Sequence, residues 1–209
     1  LSDVTGTLSS NSVCVLIAVK ERARSKTRLA AALSPEARIE LVRSMLAAVL
    51  SAARKARTVN QVIVISPERD RIPAEVPVLA DTGESLNSAL MQAHAVVREL
   101  GCREVVVLPA DLPMISGAEI DTLVRAGRAS GFAIAPDAAG VGTNALCLTC
   151  AAPFPFQFGL DSRRLHVQAA ERMGLTPQLV HLPGLEFDVD SPADLDRLDE
   201  QSWLARLRA

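Results

Sequence analysis

VCVLIAVKERARSKTRL, residues 13–29, changes character at Lys20. Up to Val19 the stretch is apolar apart from the small Cys14 and Ala18. A short run so rich in Val, Leu and Ile suits a strand covered on both faces. Beyond it Lys20, Arg22, Arg24, Lys26 and Arg28 crowd together, opposed only by Glu21 and interleaved with the hydroxyls of Ser25 and Thr27. A charge run is ordinarily a solvated surface, and exposed cations of that kind add little to folding. This run is tied to the end of a buried strand, and in open α/β sheets ligands settle outside the carboxyl ends of the strands. The expectation is a cationic loop that grips an anionic ligand.

The chain is long enough, at 209 residues, for one α/β domain with a sizeable core. Tyr is absent and aromatics are 3% of the residues, so that core must be aliphatic. The net charge of −2 makes the basic loop a local field rather than a global one. Without an overall positive charge or aromatic stacking platforms, nucleic acid is not an expected partner. No apolar run is as long as a membrane span, so no membrane partner is expected either. Residues 1–12 are polar, lack the pattern of a signal peptide and are expected to be disordered, leaving 13–209 as a single domain. The expected compartment is the cytoplasm, where the four cysteines stay reduced. Cys147 and Cys150 form a C-x-x-C inside a strand-like LCLTC, which points them to opposite faces with no second pair for a zinc site. His94, His166 and His181 are scattered and read as surface or packing residues. Aliphatic α/β domains of this size often pair, which makes a homodimer the natural oligomer to test.

Beyond the basic loop, Ser34-Pro35-Glu36 signals a helix start, and Ile39, Val42, Met45, Leu46, Val49 and Ala53 give it an apolar stripe. Strands are expected at Gln61–Ile65, Val76–Leu79, Glu104–Leu108, Phe132–Pro136, Asn144–Leu148 and Gln178–His181. Helices are expected from Ser85 to Leu100, from a Ser116/Glu119 capping box to Ala129, over Asp161–Met173, and after Ser191-Pro192. This alternation predicts an α/β fold, a mostly parallel twisted sheet in three layers. The last third, with shorter elements, is expected to extend the same domain over the site.

Asp81 follows VPVLA, Asp111 follows VVVLPA, and Asp188 and Asp190 flank Val189. In extended backbone the last two carboxylates share a face. Taken singly, Asp111 is a turn residue and Asp190 a loop or pre-cap residue. Taken with the basic loop, carboxylates at the same sheet edge suit Mg²⁺ bridging an anionic ligand, since that ion takes one or two carboxylates plus phosphate oxygens. There is no G-x-x-x-x-G-K-[ST] and no G-x-G-x-x-G, so side chains and scattered amides must hold any phosphate. Nor is there a Ser-His-Asp set. A phosphate nucleophile needs none, because with a second pKa near 6 it is already largely ionised at neutral pH. Such a reaction asks for charge neutralisation and in-line placement.

Ala18-Val19-Lys20 and Ser25-Lys26-Thr27-Arg28-Leu29-Ala30 resemble the opening motif of the CofC/FbiD guanylyltransferases of deazaflavin coenzyme F-420 biosynthesis. The resemblance continues through Leu79–Asp81, Ser85–Ala89, Leu108–Pro113, Gly140–Leu146, Phe158–Ser162 and Asp188–Leu195, in order and over nearly the whole chain after Ser12. It implies a nucleotide-diphospho-sugar transferase (GT-A-like, Rossmann-like) fold. It also implies transfer of GMP from GTP to a phosphorylated three-carbon acid (phosphoenolpyruvate, 2-phospho-L-lactate or 3-phospho-D-glycerate) with release of pyrophosphate. By motif, Asp111, Asp188 and Asp190 would hold Mg²⁺, and Thr143, Gly159 and Ser162 the acid. Lys20, Lys26 and Arg28 would face the triphosphate and, with Asp111, carry the catalysis. Ser25, Asp81, Leu86 and Asn87 complete the nucleotide set, with Leu86-Asn87 near the guanine, where Asn87 could both donate and accept. Two departures flank the acid pocket: Leu160 stands where many members have Pro, and Arg163-Arg164 where smaller residues are common. They bear on the acceptor more than on the reaction.

A related nucleotidyltransferase of molybdopterin or sugar-phosphate type is disfavoured by the lack of a Gly-rich opening loop. A non-catalytic nucleotide-binding regulator is disfavoured because three candidate metal aspartates are retained.

Overall fold

The structure is a computed structural model that describes residues 12–19, 26–81 and 85–200. Lys20, Ser25 and residues 1–11, for which expectations are given above, lie outside the described residues. Strand β1, Val13–Ala18, has Val13, Val15 and Ile17 in one apolar cluster and Cys14 and Leu16 in another. Alternating side chains of a strand point to opposite faces, so β1 is covered on both, as its composition predicts. Around it lie β2 (Gln61–Ser66), β3 (Val78–Ala80), β4 (Glu104–Pro109), β5 (Gly131–Pro136), β6 (Thr143–Thr149) and β7 (Thr176–Leu179). The sheet order is β3-β2-β1-β4-β6-β5-β7. β6 alone runs against its neighbours β4 and β5; the other pairings are parallel.

Helices α1 (Pro35–Lys55) and α3 (Gly117–Ser130) cover one face, and α2 (Leu86–Glu99) and α4 (Ser162–Arg172) the other. The caps read from the sequence form: Ser34 accepts from Ala37 N–H, Ser85 from Ser88 N–H, and Ser116 and Glu119 make a reciprocal capping box. Of the stripe expected on α1, Ile39 is exposed, while Leu41 and Leu50 are buried instead. β7 lies two residues earlier than expected, and α5 (Pro183–Glu186) is an element the sequence does not announce. Glu119 explains α5: its Oε1 accepts from Gly184 N–H at 2.7 Å while Oε2 serves Ser116. The capping glutamate of α3 thereby holds the chain that leads to Asp188.

A third cluster joins Leu29, Leu41, Val42 and Met45 to Phe187, Val189, Leu195 and Leu198. Leu195 and Leu198 come from α6, Pro192–Glu200. Leu29 and Val189 are both fully buried there. This packing fixes the turn after β1 against the segment carrying Asp188 and Asp190, and it decides the geometry of the site. Cys147 and Cys150 divide between the two faces of the sheet as free thiols.

Candidate active site

A cleft of about 800 Å³ opens at the edge where β1 and β4 end and β6 begins. Lys26, Arg28, Asp111, Asp188 and Asp190 give its lining a charged part; Leu86, Thr143, Gly159 and Ser162 line it as well. Asp81 and Asn87 are not among its described lining residues.

Lys26 sits at the centre of the charged part. Its Nζ donates to Asp111 Oδ2 at 2.6 Å and Asp190 Oδ1 at 2.7 Å. A charge run is ordinarily a solvated surface, but the Lys26 side chain is only 8% exposed. Burial works against its charge, yet Asp111 and Asp190 outweigh burial and hold the ammonium above its ordinary range. Its backbone is left-handed, φ 52° and ψ 39°, a conformation that costs a residue with a Cβ about 1–2 kcal/mol.

Asp188 differs from these two. Burial, reinforced by the nearby Asp111 and Asp190 charges, pushes its carboxyl above the usual carboxylate range, against the bond Asn144 Nδ2 donates at 3.1 Å. Val189 points into the core between Asp188 and Asp190, so both carboxylates line the cleft, as extended spacing predicts. The three aspartates nonetheless do not form a ready-made cage: no group of three His, Cys, Asp or Glu among the described residues is set to hold a metal ion. The physical reason is the crowding of negative charge, which Lys26 relieves by standing between Asp111 and Asp190. A divalent cation that takes one or two carboxylates and completes its shell with phosphate oxygens fits this donor set without a closed cage.

The other part of the cleft is held from behind. Asn87 donates from Nδ2 to Phe158 O at 3.1 Å and accepts at Oδ1 from Phe158 N–H at 2.8 Å. The amide expected at the base therefore pins the loop that follows Phe158. In that loop Gly159 has φ 129°, and a Cβ there would meet nothing within 4 Å, so glycine is required by the backbone and not by space. Leu160 is 93% exposed on the rim. Asp161 takes a left-handed conformation at φ 58° and leads into α4, whose first residue, Ser162, is buried. His166, one turn on, is wholly buried and reaches both Thr143 Oγ1 (3.1 Å) and Gln157 N–H (2.9 Å). Sequence reasoning missed His166 and Asn144. Asn144 sits beside Thr143 in the strand, and one turn of helix from Ser162 to His166 was the only hint of the other.

The arrangement brings cations, carboxylates and hydroxyls to one cleft, which can hold an anion. A family model described as "Guanylyl transferase CofC like" matches residues 13–199. The chain belongs to this CofC-like family. Among similar proteins are the phosphoenolpyruvate guanylyltransferases of Rubrobacter xylanophilus and Chloroflexus aggregans. The first is 38% identical over 194 residues, 90% of this chain and 94% of that protein. The second is 36% identical over 192 residues, 88% and 94% of the two chains. A Desulfovibrio desulfuricans protein provisionally described as a nucleotide-diphospho-sugar transferase has the same fold, with a TM-score of 0.78 at 18% identity, covering 93% of this chain and 88% of that one. A CMP:2-keto-3-deoxy-manno-octonic acid synthetase complexed with CTP superposes with a TM-score of 0.61 at 14% identity, covering 93% and 99%. The CofC-like chain is thus a nucleotidyltransferase of guanylyltransferase type on the fold its strand–helix alternation predicts. No helix among its described residues is long and apolar enough to cross a membrane.

Proposed function

We propose that this chain transfers GMP from GTP to the phosphate of phosphoenolpyruvate, releasing pyrophosphate, as a step toward coenzyme F-420. The single observation that carries the reading is that Lys26, Arg28 and three aspartates line the same cleft as Thr143 and Ser162. The names of the relatives favour phosphoenolpyruvate over 2-phospho-L-lactate and 3-phospho-D-glycerate.

An acceptor phosphate oxygen bonds to the α-phosphorus of GTP, the bond from that phosphorus to the β-bridging oxygen breaks, and the electron pair leaves with pyrophosphate. The acceptor phosphate is largely ionised at neutral pH, so no side chain need take its proton. Lys26 and Arg28 counter the charge of the triphosphate, and Thr143, Gly159 and Ser162 hold the acid in line with it. Lys26 would release Asp111 or Asp190 as it turns to phosphate oxygens. Mg²⁺, held by Asp111, Asp188 and Asp190 together with phosphate oxygens, would supply charge neutralisation at the reacting phosphorus.

The test is to incubate the protein with GTP, Mg²⁺ and each of the three acids, following pyrophosphate and the mass of the product. A guanylylated phosphoenolpyruvate is expected. No pyrophosphate with any acid would leave a nucleotide-binding protein without this activity.

A further inference from the structure

His166 bonds to Thr143 and packs edge-on against Phe158, both of which line the cleft, and its hydrogen bonds fix where its proton lies. The backbone N–H of Gln157 points at Nε2, 2.9 Å away. An amide N–H can only donate, so Nε2 must offer its lone pair. Burial drives the pKa of His166 down to about 4, so the ring is neutral at physiological pH and carries one N–H. That hydrogen is on Nδ1, which lies 3.1 Å from Thr143 Oγ1. The ring therefore donates and the threonine oxygen accepts. Thr143 makes no other side-chain hydrogen bond among the described residues, and it lines the cleft.

We propose that His166 is a positioning residue that, by donating to Thr143 Oγ1, leaves the Thr143 hydroxyl proton free for an anionic oxygen of the acid substrate. Had Nδ1 been bare, the hydroxyl could have spent its proton on the ring and shown only lone pairs to the cleft, which would repel a carboxylate or phosphate. The wiring favours a hydrogen-bond acceptor opposite Thr143: an anionic oxygen takes the free hydroxyl proton, whereas a group that can only donate meets that proton and is left with the single remaining lone pair. The inference rests on the proposed reading that Thr143 borders the acid subsite.

The first test needs no turnover. In the full-length protein with ¹⁵N-labelled histidine, His166 should show a protonated Nδ1 and a bare Nε2, unchanged from pH 8 to pH 5; a proton on Nε2 overturns the proposal. Kinetics supply the second. His166→Gln keeps an acceptor for Gln157 and drops the donor to Thr143, whereas His166→Asn can keep that donor. Thr143→Val and His166→Gln should each raise KM for phosphoenolpyruvate roughly ten- to a hundredfold, the range for a lost hydrogen bond to a charged group, with KM for GTP little changed. His166→Asn and Thr143→Ser should recover much of the loss. The double variant should be no worse than Thr143→Val alone, because both changes remove one interaction. If Thr143→Val weakens acid use and His166→Gln does not, His166 has no such role and the acid subsite stands. If Thr143→Val leaves acid use untouched, the subsite reading falls and this proposal with it. Should His166→Gln not fold, the tautomer measured in the native protein still decides.

Discussion

Lys26 holds a left-handed backbone while its ammonium is clasped between Asp111 and Asp190. Leu29, buried three residues on, holds the turn in place. Two consequences can be measured. Lys26→Ala should lower kcat/KM for GTP by about ten- to a hundredfold, as expected for a lost charge-assisted bond to phosphate. It should also destabilise the fold by about 1–3 kcal/mol, since it leaves two carboxylates facing each other in a partly buried place; a thermal melt reads this directly. Asp111→Asn should abolish turnover and lower the melt less than Lys26→Ala does, because the buried ammonium loses one carboxylate and keeps Asp190. The pair separates charge at the reacting phosphorus from charge that merely holds the loop. Asn87 belongs at this scale too. The sequence suggests a base contact because Asn87 can donate and accept near a helix start. The structure spends one N–H and one lone pair of Asn87 on Phe158, which makes the amide a brace for the loop that follows. Asn87→Ala should therefore raise the KM of the acid rather than erase a preference for GTP over ATP, which competition kinetics with the two nucleotides would show. A side chain's eventual partner, when it lies far along the chain, leaves no trace in local spacing.

Among the elements, α2 and α4 each bury a histidine, His94 and His166. Burial lowers both to about 4 from 6.5, with Arg98 assisting at His94. The unfolded chain then binds protons that the folded one refuses. The associated stability is complete above pH 6.5 and is lost as pH falls toward 4. At pH 5 each histidine should cost on the order of 2 kcal/mol. Melts from pH 7 to pH 5 should show this decline, and His94→Leu should make it shallower, at little cost at pH 7 because His94 Nε2 has no hydrogen-bond partner among the described residues. Asp121 offers the complementary control. From α3 it accepts from Arg57 N–H, Thr58 N–H and the Thr58 hydroxyl, closing the turn after α1. Asp121→Asn should lose about 1–3 kcal/mol of stability yet keep kcat/KM at temperatures well below the melt. The caps at Ser34, Ser85 and Ser116 were legible because each is a local rule, a hydroxyl three residues before the amide it serves. α5 was not, because it forms where Gly184 meets Glu119, an acceptor 65 residues away in sequence.

At the scale of the molecule, the sheet was legible from alternating strands and helices, and so was its site-bearing edge, from the basic turn after β1 and Asp111 after β4. The reversal of β6 was not drawn from the sequence, although the connection over 137–142 is too short for the helical crossover that a parallel pair requires. That reversal brings the start of β6, with Thr143 and Asn144, to the edge where β1 and β4 finish. The cleft is consequently assembled from two sets of loops that enter it from opposite directions along the chain. The turn after β1 and the residues after β4 face the nucleotide in the proposed reaction; the hairpin turn before β6 and the 157–162 segment face the acceptor. Leu160, exposed on that second rim, and Arg163, whose N–H meets Val141 O, belong to it alone. Such a division lets a lineage change its acceptor without rebuilding the machinery of transfer. Grafting 137–142 and 157–164 from a homologue with a different acid preference should carry that preference with it and leave KM for GTP in place. Tolerance of sequence drift should follow the same seam, with acceptor loops free to diversify over a donor frame that is not.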